Sequence, residues 1–212
     1  MPLTRRTAQL LKTKDLREIK WRDGEANTDL EFSEIACEAA SAAWKDFQKD
    51  VPEYADVSLT VNPPDINLRF VKGDEEHTGK IELKSGKGTD TPGSTLGDLD
   101  INMPVIYCLR RKDRTFEFRY QQYYNCIVET DRDLFQDRTP RPHVKFERMA
   151  DPSTPLEYVE KQKEPWIEHY ARCALNRTKG KFTSWQDDLV GTILRFFIQQ
   201  TSVEEFARLK SA

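Results

Sequence analysis

Asp65, Glu82 and Lys84 lie close together in the stretch "NPPDINLRFVKGDEEHTGKIELKSGKG", residues 62 to 88, and their types suit chemistry on phosphate. Two carboxylates brought face to face repel unless something positive stands between them, and a divalent cation is the natural candidate. Mg²⁺ accepts one or two carboxylates and keeps several waters for reaction. A lysine on the same face would reach the same place.

Whether the three meet depends on the strands that carry them. In "DINLRF" the polar residues Asp65, Asn67 and Arg69 alternate with Ile66, Leu68 and Phe70. In "HTGKIELK" Thr78, Lys80, Glu82 and Lys84 alternate with Gly79, Ile81 and Leu83. Each run therefore has one apolar and one polar face. Pairing Phe70 with His77 leaves a six-residue loop from Val71 to Glu76. That register sets Ile66 opposite Ile81, Asn67 opposite Lys80, and Asp65 opposite Glu82. Slipping by two residues preserves the alternation but sets Asp65 opposite Lys84, an ordinary cross-strand ion pair. The pattern by itself allows both registers.

The order Pro64-Asp65, a strand, then Glu82-Leu83-Lys84 in the next strand 17 positions after the aspartate resembles the signature of the PD-(D/E)XK nuclease superfamily, which includes many type II restriction endonucleases. A glutamate-bearing helix, three strands, and a further helix and strand complete the likeness over about residues 33 to 110. The resemblance implies an α/β fold, a mixed central β-sheet flanked by helices with a restriction endonuclease-like core. It also implies a Mg²⁺-dependent endonuclease, with Mn²⁺ as a substitute, cutting DNA in preference to RNA. Asp65 and Glu82 would be metal ligands together with the main-chain carbonyl of Leu83, and Lys84 would orient or help deprotonate the attacking water. Glu38 is the candidate for the helix glutamate of that superfamily, with Glu34 one turn earlier as its alternative. Lys80 and Lys87 would neutralise backbone phosphates, and dimerisation to cut both strands is the family expectation. An RNA endonuclease on the same core, or an inert binding module in which Asp65 and Lys84 form a structural pair, are the alternatives.

The positioning elements follow from periodicity. "DLEFSEIACEAASAAWKDFQKD", from Asp29, repeats apolar residues at helical spacing, with Ser33 as a plausible N-cap and Glu38 nearest the apolar stripe. Consecutive strands are expected in "YADVSLTV", "DINLRF" and "GKIELKS". The Gly, Ser, Thr and Pro-rich run "SGKGTDTPGSTLGDLDINMP" predicts a loop, of the length that often carries function. Strand patterns return in "VIYCLRR" and "TFEFRYQQYYNCIVET". Pro155 is placed as the first-turn residue of a helix, and "TSWQDDLVGTILRFFIQQ" as a last amphipathic one. A single domain over residues 1 to 212 is expected, its core at about 33 to 128 and its helices of 155 to 210 packed on that core.

Composition bounds the function. With 37% hydrophobic and 33% charged residues the chain can build a core and a solvated surface. A net charge of -3 argues against indiscriminate coating of nucleic acid but allows a local basic groove. Positive charge is dense at 80 to 87, 108 to 114, 136 to 148 and 171 to 181. Neither a leader-like apolar run nor a membrane-length stretch is visible, so no membrane partner and an intracellular location, cytoplasmic or with the nucleic acid, are expected. Cys37, Cys108, Cys126 and Cys173 stand singly and read as reduced, buried thiols. "SGKGT" fails the Walker spacing, since Ile81 stands where its first glycine belongs and Gly88 where its hydroxyl belongs. "FEFRYQQYYNC" fits a half-buried strand better than a base-stacking platform.

Overall fold

The computed structural model describes residues 1–21, 30–62, 65–94, 100–127 and 142–162. The chain divides into two compact units, Met1–Pro165 and Trp166–Ala212, where composition leads one to expect a single domain. Every described residue belongs to the first, so the last amphipathic helix, His169 and Cys173 lie outside the description.

The first unit is α/β with a mixed five-stranded sheet. Helices α1 (Pro2–Leu11) and α2 (Leu30–Phe47) precede strands β1 (Tyr54–Asn62), β2 (Asp65–Lys72) and β3 (Glu75–Gly86). A short β4 (Asp90–Pro92) follows, then β5 (Pro104–Arg110), β6 (Phe116–Gln122), a single helical turn α3 (Tyr123–Cys126) and β7 (His143–Lys145). The main sheet runs β1-β2-β3-β5-β6, and β4 pairs with β7 in a separate ribbon. Only β3 and β5 are parallel neighbours; the other pairs are antiparallel.

The hairpin adopts the register that opposes the carboxylates. Phe70 faces His77, Asn67 faces Lys80 and Ile66 faces Ile81. Pairing continues to Lys72 opposite Glu75, so the expected six-residue loop is a two-residue turn at Gly73 and Asp74. Gly73, at φ +63, supplies the left-handed backbone that such a tight turn requires. The slipped register would move this turn off the glycine.

One sheet face is apolar. Ile66, Ile81, Leu83, Ile106, Cys108, Phe118 and Tyr120 pack there with Ala8, Leu11, Phe32, Ala36 and Ala40 of the two helices. The α1 helix, unannounced in the sequence reading, buries Thr4, Thr7, Ala8 and Leu11 at helical spacing behind Pro2 in its first turn. In α2 the helix begins at Leu30, so Ser33 is an interior, fully buried residue rather than the N-cap.

The other face is divided. On the β5 side Val105, Tyr107 and Leu109 are buried, with the Tyr107 ring edge-on to Phe146 at 5.4 Å. On the β1 to β3 side Ser58, Thr60, Arg69 and Thr78 are exposed. Asp65, Glu82 and Lys84 stand where the covered part gives way to the open part.

Two sequence expectations are corrected nearby. Residues 123 to 126 coil into α3 instead of continuing the strand, because Tyr123 and Tyr124 donate their amides to Met103 (2.8 Å) and Ile101 (2.9 Å). Residues 155 to 162 form no helix. Their backbone is taken up by side-chain amides: Gln122 exchanges hydrogen bonds with Val159, and Asn102 with both groups of Lys161 at 2.8 and 2.9 Å. Partners of this kind hold a chain extended as a neighbouring strand would.

Candidate active site

Asp65 opens β2 and Glu82 lies midway along β3, and the alternation of both strands sends their side chains to the divided face. Both are buried, at 6% and 1% exposure. Lys84, two residues beyond Glu82, turns to the same face and pairs with the Glu82 carboxylate. Lys80 pairs with Asp65. The slipped arrangement with Asp65 on Lys84 is absent.

Burial raises the Asp65 pKa above the usual carboxylate value; the Lys80 hydrogen bond opposes this, and the Glu82 charge adds to it. Glu82 lies near enough for its charge to disfavour ionisation of Asp65. Asp65 Oδ1 is buried and has no hydrogen-bond partner among the described residues. A buried anionic oxygen without a donor is costly, and a cation is one way to satisfy it.

The support beneath Glu82 was not legible in the sequence. Ser94 donates its hydroxyl to the carboxylate, 3.0 Å from Oε1 and 3.1 Å from Oε2. The Ser94 amide donates in turn to Tyr123 Oη at 2.7 Å. Tyr123 is fully buried, and burial together with the Glu82 charge raises its pKa well above the ordinary value, keeping the phenol neutral. Gly93 lets the loop approach this ring: a Cβ there would sit 1.9 Å from Tyr123 Oη and 2.6 Å from the Pro142 carbonyl. Ser94 lies in the Gly, Ser, Thr and Pro-rich loop, and that composition was the one available hint.

A second polar cluster ties β4 to β7. Asp90 pairs with His143 Nδ1 and with Lys145 Nζ. Burial works against its charge, but the hydrogen bonds from Lys145 and His143 hold its carboxyl below the ordinary value. Through this ribbon the loop carrying Gly93 and Ser94 is fastened beside β3.

The remaining predicted residues fall as follows. Leu83 buries its side chain in the core, with its main chain between Glu82 and Lys84. Lys87 is exposed just past β3. Glu38 and Glu34 are exposed on α2, the helix that covers the apolar face, so neither joins Asp65 and Glu82 on the opposite face. The helix turned Glu38 outward because Phe32, Ala36, Ala39, Ala40 and Ala43 define the buried stripe. Part of the basic sequence is structural: Arg110 stacks over Trp21 at 4.6 Å, Arg111 pairs with Glu117 at 2.6 Å, and Arg119 lies over Phe146 at 4.4 Å. Phe118 and Tyr120 are core residues, which removes the stacking platform.

Among the described residues no group of three or more His, Cys, Asp or Glu is placed to hold a metal. The two carboxylates offer oxygen donors of the kind that suit a hard cation that retains water. Among the described residues no helix is long and apolar enough to cross a membrane. Comparison with known proteins finds no matching family model, no matching curated protein and no matching solved structure.

Proposed function

We propose that this chain is a Mg²⁺-dependent endonuclease that hydrolyses phosphodiester bonds in DNA, on a restriction endonuclease-like core. The observation that supports this reading is the burial of Asp65 and Glu82 on one sheet face, with Lys84 beside Glu82 and Asp65 Oδ1 lacking a partner. Asp65, Glu82 and the Leu83 carbonyl would hold the cation, with Mn²⁺ able to substitute. When bound, the ion supplies Lewis-acid polarisation of the scissile phosphate and a more acidic bound water.

The residues of the chain do the rest. Lys84 Nζ sets a positive charge beside the place where charge builds on the phosphate, and it orients the attacking water. Ser94 holds both oxygens of Glu82 and so fixes its rotamer. Lys80 shares the Asp65 carboxylate and stands toward the open face, where a substrate phosphate would arrive. Recognition of a particular sequence, as in a restriction enzyme, belongs to this same proposal.

One observation favours a second reading. Each carboxylate has a lysine partner, so the two pairs balance charge without a cation. An inert nucleic-acid-binding module would look the same at that level.

Incubation of the protein with supercoiled plasmid in Mg²⁺, in EDTA, and in Mg²⁺ with Lys84→Ala decides between them. Cutting that requires the metal and falls at least 100-fold in Lys84→Ala is expected. Absence of cutting on both DNA and RNA, with Mg²⁺ or Mn²⁺, would sink the nuclease reading and leave the binding module.

A further inference from the structure

The open face of β1 to β3 carries chemistry that the cleavage site does not use. Cross-strand pairing aligns Thr60, Asn67 and Lys80 in one row, and Ser58, Arg69 and Thr78 in the next. A groove of about 500 Å³ opens along these rows. The alternation that sends Leu59, Leu68 and Val61 toward the helices sends all six of these side chains outward.

We propose that this groove grips the sugar-phosphate backbone of a DNA strand next to the cut, without reading its bases. The proposal rests on the endonuclease reading and extends it to how substrate is held. Three hydroxyls, one amide and two basic side chains, Arg69 shared with Glu76 and Lys80 shared with Asp65, are of the kinds that contact phosphate oxygens in protein–DNA interfaces. Two acids are at hand: Glu76 shares Arg69 through two hydrogen bonds, at 2.8 and 2.5 Å, and Asp100 lines the groove. No aromatic ring lines the groove among the described residues, so bases have nothing to stack on.

Position links the groove to the site. Lys80 lines the groove and pairs with Asp65, so the rows continue directly from the carboxylates. From the Asp65 and Glu82 row to the Arg69 and Thr78 row is four residues along a strand, about 14 Å. A stacked strand advances roughly 3.4 Å per nucleotide, so site and groove together span about four nucleotides.

The test uses the full chain with fluorescently labelled oligonucleotides in EDTA, read by anisotropy across a salt series. The probes are DNA of two unrelated sequences, single and double stranded, and RNA of one of those sequences. In Thr60→Glu/Thr78→Glu, both exposed positions, affinity for DNA should fall at least ten-fold for either sequence, with a shallower salt dependence. Thr60→Lys should tighten binding several-fold, which guards against a mere folding defect. Ala42→Glu/Gln48→Glu places the same charges at exposed positions of and beside α2 and should bind as the wild type does. Unchanged affinity in Thr60→Glu/Thr78→Glu overturns the groove, as does a sequence preference that this variant abolishes, or binding confined to RNA. Plasmid cutting by the wild type, run alongside, separates the two claims. Cutting with unchanged binding in the variant removes the groove alone, and variant-sensitive binding without cutting removes the nuclease reading alone.

Discussion

Burial of Asp65 raises its pKa from the ordinary 3.8, so the folded state takes up its proton more readily than the unfolded chain does. The cost of holding it ionised is therefore present above the raised folded pKa and vanishes as pH falls through it. Two outcomes follow at this scale. Asp65→Asn should melt at the same temperature as the wild type or higher, while metal-dependent cutting is lost at least 100-fold. Proton and cation compete for Asp65, so raising the Mg²⁺ concentration should move the acid limb of the cutting rate to lower pH. A variant that melts lower yet still cuts would refute the assigned role. Asp65, Glu82 and Lys84 could be picked out by residue type and spacing. Ser94 and Tyr123 could not, because their service to Glu82 depends on contacts 12 and 29 residues apart in sequence.

The element that positions Glu82 is a loop pinned by a ribbon, and it has two separable parts. Gly93→Ala forces a methyl against Tyr123 Oη and the Pro142 carbonyl, and it should cost about 3 kcal/mol in urea unfolding. Ser94→Ala removes a hydroxyl from Glu82 without such a clash; it should cost about 1 kcal/mol while lowering the cutting rate about ten-fold. Equal stability losses in the two variants would contradict the close approach at Gly93. The two hairpin strands were legible at this scale because alternation is a local property, whereas the register and the two-residue turn at Gly73 were not. The extended run after Pro155 was not, since Gln122 and Asn102 reach it from elsewhere in the chain and supply the partners that a helix would have supplied.

At the scale of the folded unit, ion pairs join segments far apart in sequence, and their pH dependence has a definite sign. Asp151, paired with Lys12 at 2.8 Å, has its pKa lowered from 3.8 to about 2, through the hydrogen bond from Lys12 and those from Ser153. Asp90 is lowered too, by Lys145 and His143 against the effect of burial. For a lowered carboxylate the stability gain is complete above the unfolded pKa and is lost as pH falls through the folded one. The urea midpoint should therefore drop between about pH 4 and pH 2. Asp151→Asn should cost under about 1 kcal/mol at pH 7, because both partners are about half exposed. Asp90→Asn should cost about 2 kcal/mol at pH 7 and less at a pH acid enough to protonate Asp90 in the wild type. An equal deficit at both values would show that charge pairing is not what Asp90 contributes.

The amino-acid sequence by itself determined which face of each hairpin strand is polar, since period-two alternation needs no knowledge of the rest of the fold. It also determined the residue types of the candidate site and the α/β class. Tertiary structure alone decided the register, through the two-residue turn at Gly73 and the burial of Ile66 against Ile81. It turned Glu38 away from the carboxylates, because α2 spends its alanine stripe on the apolar face. It also brought Ser94 under Glu82 by pairing β4 with β7 across more than 50 residues. Local periodicity reports which side of an element is buried; which other element lies against that side is set by contacts between distant segments, and those exist only once the chain has folded.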